Sequence, residues 1–329
     1  MKVINNNQRL FIFIYLSSLI SLSLIPSSSC AFIVTNNCPY TIWPATLAGA
    51  GTPPLPTTGF RLDSGQTLKI PSTPGWSGRI WARTGCAFDE TTGVGLCQTG
   101  DCGRRLECDG MGASPPASLF EITLGVGDQK DFYDVSIVDG YNLPLIAAPI
   151  GVFGGGCNAT GCVSDINMGC PRELQVVDGE ENGGGGGVVG CKSACEAFGL
   201  DQYCCSGEFA NPNTCRPSIY SSIFKMACPR AYSYAFDDGT STFTCKAYDY
   251  AIIFCPTYSS AAGNSSSSGN GTRWSGGGGG GESTEPVIQD ISRSKLEGKV
   301  SKTVSSSTLA IPKLLINFIV FFISFNLSP

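Results

Sequence analysis

Residues 120–138 read FEITLGVGDQKDFYDVSIV, and they contain two alternating apolar segments, Phe120–Leu124 and Phe132–Val138, joined by a glycine-containing loop. Alternation with a period of two is typical of half-buried strands, and a six-residue loop can join antiparallel neighbours. If this loop closes symmetrically, paired positions sum to 255, and Glu121 faces Asp134. The segment therefore predicts an antiparallel hairpin with two acidic side chains opposite each other.

This pairing divides the hairpin into two faces. The apolar face carries Phe120, Ile122, Tyr133 and Val135, and the polar face carries Glu121, Thr123, Asp134 and Ser136. Opposed Cβ atoms lie about 4.5–5.5 Å apart, and like charges at that distance are destabilising. We expect a cation, Arg79, to offset them. We identify no apolar residue on this face that would raise the pKa of either acid.

Further segments with strand character surround the hairpin. They are Phe32–Thr35, Tyr40–Trp43, Gln66–Ile70, Arg79–Arg83, Ser241–Thr244 and Ala251–Phe254, separated by Gly and Pro. Two short helices are predicted at Ser193–Phe198 and Ser218–Met226. The pattern favours a mainly β fold, an antiparallel β-sandwich.

Sixteen cysteines lie between Cys38 and Cys255, and they predict eight disulfides, because the number is even and the chain begins like a secreted protein. Their spacing leaves the pairing open. They are dense from Cys162 to Cys228, which predicts a disulfide-rich subdomain at about 162–228, and a smaller cysteine-rich loop region runs from Cys86 to Cys108. A zinc site is disfavoured because the chain has no histidine.

The N-terminus is typical of a secretory signal peptide. Lys2 and Arg9 precede the apolar run Leu10–Ile25, and small residues end at Cys30. We expect residues 1–30 to be removed by cleavage before Ala31. A membrane anchor is the alternative, and the shortness of the run disfavours it.

The C-terminus is typical of a glycosylphosphatidylinositol (GPI) signal. Residues 257–308 form a Gly/Ser-rich stalk, and residues 309–329 end in an apolar run, Leu314–Leu327. The expected attachment residue is Ser305, within the range Ser301 to Ser307. A retained tail anchor and an unprocessed tail are the alternatives. Glycosylation sequons begin at Asn158, Asn264 and Asn270.

Composition excludes several classes of function. Without histidine, no Ser-His-Asp triad, Cys-His dyad or His-ligated metal centre can form. The net charge is −5, and residues 31–256 hold 13 Lys and Arg against 22 Asp and Glu. Such an acidic domain is a poor candidate for nucleic-acid binding. We expect a monomer without a cofactor or a metal ion.

Several segments resemble the thaumatin-like proteins, the plant pathogenesis-related family 5. NNCPYTIW at 36–43 resembles the family's opening, and GVGLCQTGDC at 93–102 resembles its signature. DFYDVSIVDGYNLP at 131–144, AYSY at 231–234 and STFTC at 241–245 are similar to further family blocks. The resemblance covers residues 31–256. Arg104 departs from it, because the family usually has Gly there.

The resemblance implies a flattened β-sandwich with a disulfide-rich subdomain and a small loop domain. It also implies the pairs Cys38–Cys255, Cys86–Cys97, Cys102–Cys108, Cys157–Cys245, Cys162–Cys228, Cys170–Cys191, Cys195–Cys204 and Cys205–Cys215. The family's acidic cleft carries over onto Arg79, Glu121, Asp134, Asp139 and Asp237, with Asp238 as an alternative to Asp237.

Three functions remain open for these acids. The first is a cell-surface defence protein, extracellular and GPI-anchored at the plasma membrane, that binds β-1,3-glucan or another wall carbohydrate and is antifungal. The second is a weak endo-β-1,3-glucanase with Glu121 and Asp134 as catalytic residues, since paired carboxyls suit glycoside hydrolysis; the sequence leans against an enzyme. The third is a structural or receptor-associated ectodomain with a solvated acidic face. Trp43 and Trp81 are expected in the core rather than as sugar platforms.

Overall fold

The computed structural model describes residues 30–153, 156–179 and 186–256, and the backbone of residues 302–303. The predicted signal peptide lies outside the described residues except for Cys30. The GPI tail, the sequons at Asn264 and Asn270, and the stalk apart from that backbone also lie outside them. Among the described residues, no helix has both the length and the apolar character to cross a membrane.

Strands outnumber helices as the regular elements of the described chain. They are β1 (Ala31–Asn36), β2 (Trp43–Ala48), β3 (Thr67–Pro71), β4 (Ser77–Arg83), β5 (Ala87–Phe88), β6 (Gly95–Leu96), β7 (Leu119–Thr123), β8 (Asp131–Ser136), β9 (Leu145–Val152), β10 (Thr160–Cys162), β11 (Gln175–Val177), β12 (Val188–Cys191), β13 (Phe243–Cys245), β14 (Ala247–Phe254) and β15 (Lys302–Thr303). The fold is mainly β, as the sequence predicts.

Two large sheets form a sandwich. One has the order β10-β9-β14-β1-β3-β15, and the other has the order β13-β8-β7-β4-β2. The core between them is apolar and aromatic, and the Phe32 ring meets that of Phe120 across it with centroids 6.3 Å apart. The apolar residues that the hairpin pattern assigned to one face, Phe120, Ile122, Tyr133 and Val135, all belong to this core.

Two strand pairs depart from the antiparallel prediction. β15 runs parallel to β3, with Lys302 paired to Leu68. β1 runs parallel to β14, with Ala31 paired to Asp249 and Asn36 to Phe254. These strands lie at opposite ends of the domain sequence, so no short turn dictates their relative direction, and alternation within each strand carries no information about it. The six-stranded sheet is therefore mixed.

Two predicted strands begin two or more residues later than the sequence indicates. The strand predicted at Tyr40–Trp43 begins only at Trp43, and Ile42 makes an isolated bridge to Leu62. The strand predicted at Ser241–Thr244 starts at Phe243, because Asp238–Ser241 forms a short helix. In both cases a tertiary contact or a turn, rather than apolar alternation, sets the boundary.

The helices are short and lie between β12 and β13. They are α1 (Ala194–Phe198), α2 (Asp201–Cys204), α3 (Ile219–Ala227) and α4 (Asp238–Ser241), and single 3₁₀ turns occur at Ile166–Gly169, Arg172–Leu174 and Gly207–Phe209. Ser193 caps α1, and Ser218 forms a capping box with Ser221 at the start of α3. Such caps satisfy N–H groups that have no partner within the helix.

Eight disulfides link the sixteen cysteines in the same pairs that the family resemblance implies. Cys38–Cys255 joins the two ends of the domain across 217 positions of sequence. Five of the eight lie in or next to the helical region, where few apolar residues are buried. In that region the disulfides replace a hydrophobic core of its own.

Candidate functional site

The outer face of the five-stranded sheet carries the acidic residues. The register places Arg79 of β4 opposite Glu121 of β7, and Glu121 opposite Asp134 of β8. Leu47 of β2 lies on the far side of Arg79. The symmetric loop thus produces the facing acids that the sequence predicts, and Arg79 occupies the strand next to them.

Three rows of side chains cross this face, and their exposure increases from one row to the next. In the first row Trp81, Leu119 and Ser136 are buried beneath the loop region that carries Cys102–Cys108. In the second row Arg79, Glu121 and Asp134 are half-buried. The third row, with Ser77, Thr123 and Phe132, is the most open. The acids therefore lie where a covered surface changes into an open one.

Trp81 explains why the first row is closed. Its indole is fully buried, and Nε1 donates a hydrogen bond to the carbonyl oxygen of Gly100 in the loop region at 2.9 Å. Trp81 is thus a core residue, as predicted. Trp43 is half-buried, and its ring centroid lies 6.3 Å from that of Phe88.

Arg79 interacts with one of the two acids more closely than with the other. Its Nε lies 3.4 Å from Oε1 of Glu121, which is an ion pair in a half-exposed setting. Burial raises the pKa of Glu121, the Arg79 charge lowers it, and the charge of Asp139 raises it further. The arginine thus partly offsets the cost of an ionised Glu121.

Asp134 has the more strongly perturbed carboxyl. Burial, followed by the negative charge of Glu121, raises the pKa of Asp134 to about 8, against a smaller opposite effect of Arg79. Its Oδ1 is buried and has no hydrogen-bond partner among the described residues. Of the two facing acids, Asp134 is therefore the one whose proton is held more tightly.

Asp139 lies in the turn after β8, within electrostatic range of Glu121. Asp139 also acts on Glu196 of α1. Burial raises the pKa of Glu196 most, the charge of Lys192 lowers it, and the charge of Asp139 raises it by a smaller amount. Oε2 of Glu196 is buried and unpaired within the described part of the chain. Glu196 extends the acidic region towards the disulfide-rich subdomain. The sequence analysis missed it because only the fold brings α1 there.

Asp237 is held in internal contacts. Its Oδ2 lies 2.9 Å from Nζ of Lys225 and accepts hydrogen bonds from the backbone N–H and the hydroxyl of Ser233, each at 3.0 Å. Asp238 is exposed, accepts a hydrogen bond from the Tyr232 hydroxyl at 2.8 Å, and contributes to the raised pKa of Asp134. Of the two neighbouring acids, Asp238 is the one coupled to the cleft.

The cleft itself is an open depression of about 350 Å³. It is lined by residues of the second and third rows, among them Arg79, Glu121, Asp134 and Phe132, and by Thr242 from the loop before β13. Asp139 and Asp237 do not line it. The volume falls within the usual range for sites that bind small molecules. Among the described residues, no group of three potential metal ligands is close enough together to hold a metal ion.

Phe132 is the aromatic residue that the sequence analysis missed on this face. It has the same parity as Asp134 and therefore shares its side of the sheet, and its side chain is 55% exposed. The signal that could have revealed it is the same alternation that assigned the acids.

Comparison with known proteins gives consistent similarities. The thaumatin family model matches residues 36–256. Thaumatin-like protein 1 of Arabidopsis thaliana is 50% identical over 255 residues, which is 75% of this chain and 95% of the relative. Pathogenesis-related protein 5 of Arabidopsis thaliana is 56% identical over 226 residues, which is 68% of this chain and 90% of the relative. A solved laminaripentaose-producing β-1,3-glucanase in complex with laminaritetraose is 13% identical, with 69% of this chain and 98% of that chain covered and a TM-score of 0.45.

Proposed function

The chain belongs to the thaumatin family, and on that premise we propose that it is a plant defence-related protein that binds β-1,3-glucan through the cleft of Arg79, Glu121 and Asp134. The observation that supports the proposal most is the row that these side chains form on the solvent-facing side of the five-stranded sheet. Binding to the glucan of a fungal wall is the route to antifungal activity.

The chemistry of the row suits sugar hydroxyls. The Glu121 carboxyl offers acceptor oxygens, and Asp134, whose pKa is raised to about 8, offers a proton to donate and an oxygen to accept. Arg79 adds N–H donors. A hexose ring presents hydroxyls that donate and accept, so such a row can bind it without a metal ion or a cofactor.

Titration calorimetry with a soluble β-1,3-glucan tests this proposal. Glu121→Gln and Asp134→Asn keep the shape and remove the charge or the acidic proton, and each should weaken binding by roughly 1.5–3 kcal/mol. Asp128→Asn, in the exposed loop between β7 and β8, is the matched control and should leave binding unchanged. Unchanged affinity in both cleft variants, with the fold intact, would favour a structural or receptor-associated ectodomain.

A second candidate function is weak endo-β-1,3-glucanase activity, which the raised pKa of Asp134 beside a second carboxyl favours. A carboxyl with a strongly raised pKa, Asp134, opposite a second carboxyl, Glu121, suits the pair of acids that glycoside hydrolysis requires. Asp134 would protonate the leaving oxygen, and Glu121 would act as base or nucleophile.

Release of reducing sugar separates the two functions. For a hydrolase, Asp134→Asn should lower turnover by a factor of about 10² or more while affinity falls far less. Activity should also decrease as the pH rises through about 8, because Asp134 then loses its proton. Binding without measurable release of sugar leaves the protein a lectin.

The protein is extracellular, like the thaumatin-like proteins to which it is related, and its eight disulfides suit an oxidising compartment. We propose further that it is attached to the outer face of the plasma membrane by a GPI anchor near Ser305. The support is the order of Gly/Ser-rich stalk, small residues and terminal apolar run. A phosphatidylinositol-specific phospholipase should release it from membranes. Retention after complete digestion, with residues 314–327 detected by mass spectrometry, would contradict the anchor.

A further inference from the structure

Phe132 differs from the other exposed phenylalanines of the described residues. Phe153 stacks on Tyr248 with centroids 4.2 Å apart, and Phe198 contacts Tyr203 and Tyr220. Phe132 makes no ring contact within the described part of the chain, although 55% of its side chain is exposed. Packing against another aromatic ring therefore does not account for a phenylalanine at this position.

The residues paired with Phe132 across the sheet are polar and uncharged. Thr123 lies directly opposite on β7, and Thr244 lies opposite on β13. The Ser77 and Thr123 hydroxyls are hydrogen-bonded to each other at 2.8 Å. The third row thus combines one exposed aromatic ring with hydroxyls. Such a row suits a neutral ligand that has both C–H groups and hydroxyls.

The ring lies one step from the acids. Phe132 and Asp134 are two residues apart on β8, so their Cα atoms are about 6.6–6.8 Å apart, and their side chains project from the same face. This separation is on the scale of one hexose unit. Both residues line the same depression. A sugar on the ring and a sugar on the acids would therefore be neighbours in one chain.

We propose that Phe132 is a stacking platform for one sugar, and that the cleft binds at least two consecutive neutral sugars, one on Phe132 and the next on Glu121 and Asp134. The inference rests on the proposed function and adds the direction of the ligand, which runs along β8 towards the open end of the sheet. An aromatic face is electronegative and attracts the weakly positive C–H groups of a hexose face. The hydroxyls of Thr123 and Ser77 would lie beside the edge of the same sugar.

The test measures affinity as a function of ligand length. Titration calorimetry is carried out with β-1,3-linked glucose oligomers of one to six units. For the wild-type protein, affinity should increase markedly from one unit to two or three. Phe132→Ala and Phe132→Leu should reduce that gain by about tenfold, and Phe132→Trp should retain it, because stacking requires the ring and not only apolar area. Phe153→Ala, which removes an equally exposed ring outside the cleft, should have no effect. Thermal unfolding checks that each variant folds.

The outcomes separate the platform from the proposed function. The stacking platform would be ruled out if Phe132→Leu bound the oligomers with wild-type affinity, or if Phe132→Ala lost the same factor in affinity at every ligand length. Glucan binding itself would remain. If the wild-type protein binds no β-1,3-glucan of any length, the proposed function fails. In that case the same variants are titrated with β-1,4-linked glucose and xylose oligomers. The platform is ruled out if no oligomer binds in a way that depends on Phe132.

Discussion

Asp134 shows how one side chain can link the cleft to the stability of the whole domain. Its pKa is raised to about 8 in the folded protein, whereas an unfolded chain titrates aspartate near 3.9. Between those values the folded state binds more protons than the unfolded state. Stability must therefore decrease as the pH rises from about 4 to about 8.

Asp134→Asn should remove this pH dependence. We expect wild-type and variant to be similarly stable at pH 4, and the variant to be more stable at pH 8, on the order of 2 kcal/mol after allowance for the partial exposure of the site. Urea unfolding at pH 4, 6 and 8 measures the difference, with Asp128→Asn as the exposed control. A variant less stable than wild type at pH 8 would show that Asp134 is not under electrostatic strain.

Arg104 has a backbone conformation that is unfavourable for a residue with a side chain. Its φ is +61°, in the left-handed region that favours glycine, and its N–H donates to Oδ2 of Asp101 at 2.8 Å. This is the position where the chain departs from the family's glycine, so the turn is retained with a less suitable residue.

Arg104→Gly should stabilise the protein by up to about 1 kcal/mol, because relief of the left-handed strain exceeds the added freedom of the unfolded chain. Arg104→Ala keeps the strain and should bring no gain, which makes it the control. Thermal unfolding of the three proteins decides the matter; equal gains for Gly and Ala would point to the arginine side chain instead.

Among the elements, the β7–β8 hairpin depends on a buried acid outside the cleft. Asp131 is 2% exposed, and it accepts hydrogen bonds from Gly125 N–H at 2.8 Å and from the Tyr250 hydroxyl at 2.8 Å. Lys246 lies 3.9 Å away. One carboxylate thus fixes the hairpin loop to β14 in the other sheet.

Asp131→Ala should lower the free energy of unfolding by roughly 3 kcal/mol, since it leaves buried donors without an acceptor. Chemical denaturation measures the loss, and Asp128→Ala in the same loop is expected to cost little. Hydrogen exchange at Gly125 should accelerate only in the Asp131 variant, whereas protection equal to wild type would exclude the proposed attachment.

The sequence predicted those elements whose determinants are local. The register of Glu121 and Asp134 follows from loop symmetry, and the helix starts at Ser193 and Ser218 follow from capping. β9 was missed because Leu145–Val152 reads LIAAPIGV, which lacks alternation and lies between two other strands. The coupling of Asp238 rather than Asp237 to the cleft depends on Lys225, a contact that only the tertiary fold creates.

At the scale of the molecule, the start of β1 is tied to the C-terminal strand. Ala31 is 2% exposed, and its backbone nitrogen donates to Oδ1 of Asp249 at 2.8 Å, while Lys69 contacts the other oxygen of Asp249 at 2.9 Å. Cleavage before Ala31 would turn this nitrogen into an ammonium group facing a carboxylate. Charged partners make the stronger hydrogen bond.

We expect a chain that begins at Ala31 to be about 1–2 kcal/mol more stable than one with a single glycine added before it. In an Asp249→Asn background the two should be equally stable, which completes a double-mutant cycle. Denaturation midpoints of the four proteins give the coupling, and a value near zero would mean that processing brings no ion pair.

The Cys38–Cys255 bond has a mechanical consequence for a protein tethered beyond residue 256. The cleft lies on the outer face of one sheet, and the chain leaves from β14 in the other, so a load between a bound polymer and the tether crosses the whole sandwich. Force applied at the exit would ordinarily peel β14 away one hydrogen bond at a time. Cys255 is covalently joined to Cys38, just after β1. The force therefore acts on the parallel strands β1 and β14 together and loads their hydrogen bonds in shear. If the domain binds a wall polymer and is anchored beyond residue 256, the disulfide would help it to bear tension between the two.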